Sequence, residues 1–237
     1  MNLDLPHRAE PAESSGPGAW LKRRLQGAAR MLLGPPATLL VRLGIRPNHL
    51  TAAGLLLSLG AGLAFFEGSF RGGAILAAVG GVCDILDGQI ARLSGRTSRF
   101  GAFLDSTLDR LAEAAVLCGI AGFYFAHVVV LAMNPAGAVE EVSRGLEPAV
   151  WWRVGLVAIL ALVGSFMVSY TRARAEGLGL ECKVGWFERP ERLVLIIVAA
   201  AFGVGPVMPA ALIVLMVLSF TTALQRAVHV WKKTRDR

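Results

Sequence analysis

The sequence predicts an all-α integral membrane protein: six transmembrane helices preceded by a cytoplasmic amphipathic helix. Three observations carry that reading. First, a mean hydropathy of +0.57, with 54% hydrophobic and only 17% charged residues in 237, is too apolar for a soluble chain of this length. Second, six apolar runs follow one another at 50–66, 72–93, 100–131, 151–170, 192–204 and 206–230, several near the ~20 residues that a bilayer span requires. Third, the connections between the runs alternate in charge. The formal net charge of +7 sits at the ends of apolar runs rather than in one continuous stripe, so membrane orientation explains it and a nucleic-acid partner is not expected.

Taken in order, residues 1–18 are polar and rich in proline and glycine, which predicts a disordered tail. Residues 19–46 form a juxtamembrane segment in which Trp20, Leu21, Leu25, Ala28, Met31 and Leu32 recur at helical spacing against Lys22, Arg23, Arg24 and Arg30. This is the pattern of a helix lying on an anionic cytoplasmic surface, and Pro35 and Pro36 are expected to interrupt it. The membrane domain occupies 47–237. Its fifth run, 192–204, is short and divided from the sixth by Gly203, Gly205 and Pro206. It counts as a span because joining the two would make a proline-broken run too long for one crossing.

The loop charges fix an orientation. The connection at 92–99 (Arg92, Arg96, Arg99), the one at 172–192 (Arg172, Arg174, Lys183, Arg189, Arg192) and the tail (Lys232, Lys233, Arg235, Arg237) are basic. The alternate connections carry Glu67, Glu140, Glu141 and Glu147. Both termini are therefore expected in the cytoplasm. Trp151, Trp152, Trp186 and Trp231 fall near the expected interfaces. Cys83, Cys118 and Cys182, an odd number, are read as free thiols.

Within this frame, 84–109 is the anomaly. At 100° per residue Asp84, Asp87, Gly88 and Ala91 share one helical face, while Gly101, Asp105 and Asp109 share another at i, i+4, i+8. Ser94 to Ser98 is polar and holds a glycine, so the chain turns there, with Thr97 or Ser98 as N-cap of the next helix. Two facing helices would bring four carboxylates to matching depth near the cytoplasmic side. An ionised acid at bilayer depth costs several kcal/mol on insertion scales, and like charges raise that cost. Divalent cations remove it. An oxygen-only donor set favours Mg²⁺, Mn²⁺ or Ca²⁺ over zinc, and four acids balance two such ions, an arrangement that can clamp a phosphoryl group. The bland alternative is a set of salt bridges to Arg92, Arg110 or Arg172. A cation transporter is the alternative from another class, and it expects acids spread through the membrane thickness and repeated halves.

The run Asp84-x2-Asp87-Gly88-x2-Ala91-Arg92-x8-Gly101-x3-Asp105-x3-Asp109 matches the signature of the CDP-alcohol phosphotransferases, and Pro47-Asn48-His49-Leu50-Thr51 is similar to that family's entry to its first span. The resemblance implies a metal-dependent membrane enzyme of phospholipid biosynthesis. Such an enzyme transfers a phosphatidyl group from a CDP-lipid, usually CDP-diacylglycerol, to an alcohol and releases CMP. By position it implies that Asp84, Asp87, Asp105 and Asp109 hold Mg²⁺ or Mn²⁺, two ions in all, with Asp109 also the catalytic base. Asn48, Thr51, Gly88, Ala91, Arg92 and Gly101 would contact the CDP-lipid, Arg92 facing its diphosphate. Residues 169–176 and 188–192 are similar to those of prokaryotic phosphatidylinositol phosphate synthases, which implies inositol 1-phosphate as acceptor, bound by Ser169, Arg172 and Arg192. Glycerol 3-phosphate or another polar alcohol would want the same cations. The resemblance also implies a homodimer in a prokaryotic cell membrane.

Overall fold

The computed structural model describes residues 19–95, 98–143 and 148–235, and these form helices and short connections with no strand among them. The expected tail at 1–18, and the charges assigned to Arg96, Arg144, Glu147 and Arg237, lie outside the described residues, as does Thr97. The helices are α1 (Ala19–Arg42), α2 (Pro47–Phe66), α3 (Phe70–Leu93), α4 (Arg99–Met133), α5 (Pro135–Ser143), α6 (Pro148–Gly177), α7 (Arg189–Ala201) and α8 (Val207–Arg235).

Five of them, α2, α3, α4, α6 and α8, are long and apolar enough to cross a membrane. The fifth apolar run does not reach that length. It forms α7, whose 13 residues rise about 20 Å, short of the ~30 Å hydrocarbon core. Its limits are local: Glu188 caps the start with Pro190 in the first turn, and Gly203, at φ 80°, turns the chain after Phe202. α5 was not expected, because its nine residues carry too little periodicity to stand out. α1 was expected to break at Pro35 and Pro36, yet it runs on through both. Packing overrides propensity here: Ala37, immediately after the prolines, is completely buried in a small cluster with Leu50 and Ile90.

The long helices run up and down. α2 packs against α3 and α4, α6 against α4 and α8, and α7 bridges α3 and α8. α2 and α4 cross closely because a methyl at Gly62 would collide with the Ala115 carbonyl and one at Gly119 with the Gly62 backbone. The main core gathers at one end of the bundle, where Phe65, Phe70, Leu117, Ile120, Tyr124, Met208 and Leu212 meet. Phe70 lies edge-on to Phe65 and Phe123, with ring centroids 5.5 and 5.0 Å away, and the His127 ring lies tilted against Trp151 with centroids 3.9 Å apart. Outward-facing Leu56, Leu63, Ile75, Val194 and Ile213 are exposed, which for a bundle of this composition is a lipid-facing surface. The opposite end of the bundle is where the charges collect.

Candidate active site

The end of α3 and the start of α4 carry the acids, and the described residues on either side of their connection are Ser94, Gly95 and Ser98. Ser98 caps α4 by accepting a hydrogen bond from the Gly101 amide at 2.9 Å, and Gly95 takes φ 65° between the helices. Gly101 therefore serves the cap as well as the acid-bearing face. Asp87 is 5% exposed, and the Thr51 hydroxyl on α2 donates to its Oδ2 at 2.7 Å. One turn along α2, Gly54 gives Asp84 room: a Cβ there would stand 2.7 Å from Asp84 Oδ1. α2 thus lays Thr51 and Gly54 side by side under the two acids of α3. Asp84, Asp87, Asp105 and Asp109 lie within electrostatic reach of one another.

The cation among them is Arg189, from the first turn of α7. Its Nη2 lies 2.8 Å from Asp84 Oδ2 and its Nη1 2.8 Å from Asp109 Oδ1, so a single guanidinium joins α3 to α4. None of the three arginines expected from the sequence forms an ion pair with these acids among the described residues. Arg110 donates to the Ser106 carbonyl of its own helix while its charge acts on Asp105 and Asp109, Arg172 pairs with Glu176 at 2.9 Å, and Arg92 is exposed and lies over Gly88. Ala91 is partly covered on the same face, and Asn48 is exposed in the first turn of α2.

A cleft opens from the acids toward α6 and α8. Its lining includes Asp109, Glu113 and Glu188, Ser169, and the arginines Arg110, Arg172, Arg189, Arg192 and Arg226. The three residues proposed for an acceptor are thus brought together next to an acid of the cluster. Arg192 is nearly fully buried. Its Nε and Nη2 donate to the two carboxylate oxygens of Glu113 at 2.6 and 3.1 Å, and its Nη1 to the Phe187 carbonyl at 3.3 Å. Three of its five N–H groups are thereby taken up. Arg226, 2% exposed, donates to the carbonyls of Val184 at 2.9 Å and Val168 at 2.5 Å, which ties the 178–188 connection across α8 and α6. Sequence reasoning passed over Arg226 and assigned Arg189 only to loop charge. For Arg226 a signal existed: a lone guanidinium inside an apolar run is expensive unless it has a task.

Among the described residues no three metal-competent side chains stand close enough to make a finished cage. The chemistry of the donor set still fits hard divalent ions. Four carboxylates share one end of the bundle, one of them already oriented by a neighbouring hydroxyl; oxygen donors predominate beside the lone Cys83 thiol, and Arg189 and Arg110 offset only part of the negative charge. A transporter pathway would string acids along the membrane normal. Here all four sit at one end of the bundle, in one hairpin.

Comparison with known proteins points the same way. Residues 44–231 match the family model for CDP-alcohol phosphatidyltransferase. The chain is 37% identical over 197 residues to the archaetidylinositol phosphate synthase of Methanothermobacter thermautotrophicus, covering 82% of this chain and 87% of that protein. It is 34% identical over 247 residues to the phosphatidylinositol phosphate synthase of Streptomyces avermitilis, covering 100% of this chain and 93% of the relative. The crystal structure of the Mycobacterium tuberculosis phosphatidylinositol phosphate synthase in complex with manganese and citrate superposes with a TM-score of 0.67 at 31% identity, over 83% of this chain and 88% of that one. The same enzyme with CDP-DAG bound gives a TM-score of 0.66 at 31% identity, over 83% of this chain and 92% of that one. With the acid hairpin, the fold and the length of the match in agreement, the chain belongs to the CDP-alcohol phosphatidyltransferase family.

Proposed function

We propose that the protein transfers the phosphatidyl group of CDP-diacylglycerol, or of a similar CDP-lipid, to inositol 1-phosphate and releases CMP. One observation carries the choice of an anionic acceptor: the cleft that meets the acid cluster at Asp109 is walled by Ser169, Arg172, Arg192 and Arg226. Guanidinium forks suit a phosphate monoester, and a neutral alcohol would not compensate their desolvation. The relatives in Methanothermobacter and Streptomyces share inositol phosphate in their names and differ in the lipid, so the acceptor side is the feature common to both. Glycerol 3-phosphate would use the same cations and is the second reading.

In this reading Asp84, Asp87, Asp105 and Asp109 hold two Mg²⁺ or Mn²⁺ ions, which when bound neutralise the donor diphosphate and the charge that develops on it. Thr51 keeps the Asp87 carboxylate aimed at the site. Gly88, Ala91 and Gly101 leave room for the cytidine, Asn48 lies at the donor's entrance, and Arg92 reaches the diphosphate. Arg172 and Arg192 fix the acceptor's phosphate so that its hydroxyl oxygen faces the phosphorus of the phosphatidyl group. Asp109, at the boundary of cleft and cluster, takes the hydroxyl proton as the new P–O bond forms and the bond to CMP breaks. The acceptor arrives from water and the donor from the bilayer. That division suits a site and both termini on the cytoplasmic side of a 47–237 membrane domain, with residues 19–46 on the membrane surface; a homodimer as the working unit is proposed from the family resemblance alone.

The test is CMP release from CDP-diacylglycerol by the purified full chain with Mn²⁺ or Mg²⁺. Release that depends on inositol 1-phosphate is expected. Release with glycerol 3-phosphate alone would reassign the acceptor, and silence with inositol phosphate, glycerol phosphate, inositol, serine and glycerol would remove the transferase reading. A parallel arm with an ether-linked CDP-lipid decides between the two lipid classes.

A further inference from the structure

We infer that Arg189 is a resident competitor of the divalent cations: it occupies one oxygen each of Asp84 and Asp109, and ion loading requires that bridge to open. The inference rests on the metal reading above. Its geometry is specific. The two terminal nitrogens of one guanidinium reach two carboxylates on different helices, each at 2.8 Å, and the side chain is about three-quarters covered. A planar fork of this kind is the match for paired carboxylate oxygens, and a lysine ammonium has no counterpart to it. The bridge also explains how two like charges stay near each other in a low-dielectric setting before any ion is bound.

Nothing obliges Arg189 to stay there. It comes from the first turn of α7, directly after the 178–188 connection, where it lines both the pocket beside Asp84 and the cleft beside Asp109. A rotation about its own side-chain bonds moves the guanidinium from the acids to the cleft without moving the helix. Arg192, three residues on and held by Glu113, anchors α7 while Arg189 turns. Because the apparent affinity of a ligand falls by the fraction of molecules in the competent state, a bridged Arg189 lowers affinity for the ions, and its removal raises it.

The experiment measures Mn²⁺ binding to the detergent-solubilised full chain, following free Mn²⁺ by electron paramagnetic resonance, for the wild type, Arg189→Gln and Arg189→Lys. Arg189→Gln is expected to bind Mn²⁺ about tenfold more tightly than the wild type. Arg189→Lys keeps the charge but not the fork, and is expected to lie nearer to Arg189→Gln. Melting curves give a second readout: in EDTA Arg189→Gln melts below the wild type, and added Mn²⁺ raises its melting temperature by more. Equal or weaker Mn²⁺ binding by Arg189→Gln overturns the inference. So does wild-type affinity in Arg189→Lys, which would leave only a diffuse charge effect, and this variant decides alone if Arg189→Gln does not fold. Absence of Mn²⁺ binding from every form overturns the metal reading and this inference with it, whereas unchanged binding overturns this inference only.

Discussion

Glu113 grips Arg192 through both carboxylate oxygens, at 2.6 and 3.1 Å, and this pair ties the acid-bearing helix α4 to the wall of the cationic cleft. Glu113 stands one turn beyond Asp109 on the same face, so the residue that orients Arg192 belongs to the same stripe as the acids. Both side chains are over 90% buried. Removing one partner of such a pair leaves the other charged and uncompensated. Glu113→Ala is expected to lower stability by about 3 kcal/mol, seen as a fall in melting temperature. Glu113→Gln keeps one acceptor and is expected to fold, with a raised KM for inositol 1-phosphate and little change in that for the CDP-lipid. Equal changes in both would make the pair a purely architectural one.

Thr51→Val removes the hydroxyl that donates to Asp87 while preserving shape. Partners of metal ligands typically contribute 10–100-fold to affinity or activity, so Mn²⁺ affinity is expected to fall by about tenfold, with Thr51→Ser close to the wild type. A Mn²⁺ titration checks it, and full affinity in Thr51→Val would detach Thr51 from the site.

Gly54→Ala puts a methyl 2.7 Å from Asp84 Oδ1. The atom that must yield is the end of a side chain, so the fold gives way cheaply and the carboxylate moves. Stability is expected to change by less than about 1 kcal/mol while CMP release drops at least tenfold. A large fall in melting temperature with activity preserved would contradict this account.

Asp105 makes no hydrogen bond or close ion pair among the described residues, and its charge meets those of Arg189 and Arg110 only at longer range, so the fold depends little on it. Asp105→Asn is expected to leave the melting temperature in EDTA near that of the wild type and to reduce turnover by at least about a hundredfold. An active Asp105→Asn would remove this residue from the metal shell.

Arg172 is exposed and its pairing with Glu176 is an i, i+4 surface contact, worth about 0–1 kcal/mol. Arg172→Ala is therefore expected to fold normally and to raise the acceptor KM about tenfold, with the CDP-lipid KM unchanged. Initial-rate kinetics against both substrates decides it.

The acid hairpin was legible because its information is local: spacing along two adjacent helices sets which faces meet, and Ser98 marks the turn between them. What surrounds it was not. Thr51 was expected at the CDP-lipid by resemblance, and its bond to Asp87 was not foreseen because the two lie 36 residues apart. Arg189 was absorbed into loop charge, since nothing in a linear pattern distinguishes a loop arginine that faces water from one that turns inward, whereas Arg226, alone in an apolar run, carried a signal that was passed over. α7 was expected to span because apolar composition was visible, whereas its early start and stop depend on Pro190 and Gly203 acting as boundaries. The prolines of α1 misled in the opposite direction: the helix continues through them, and the turns that follow are held by a cluster of Ala37, Leu40, Val41, Leu50 and Ile90.

The aromatic and aliphatic core lies at one end of the bundle and the ionic contacts at the other. The molecule is in this sense a clothes-peg, sprung by close packing at the closed end and joined at its jaws by a few charged side chains. Damage to Phe65, Phe70 or Leu212 should be read out as lost protein, whereas damage to Thr51, Gly54 or Arg189 leaves a folded chain whose jaws no longer meet correctly. Random mutagenesis would then sort into two classes by depth along the helix axis, one defective in abundance and the other in turnover.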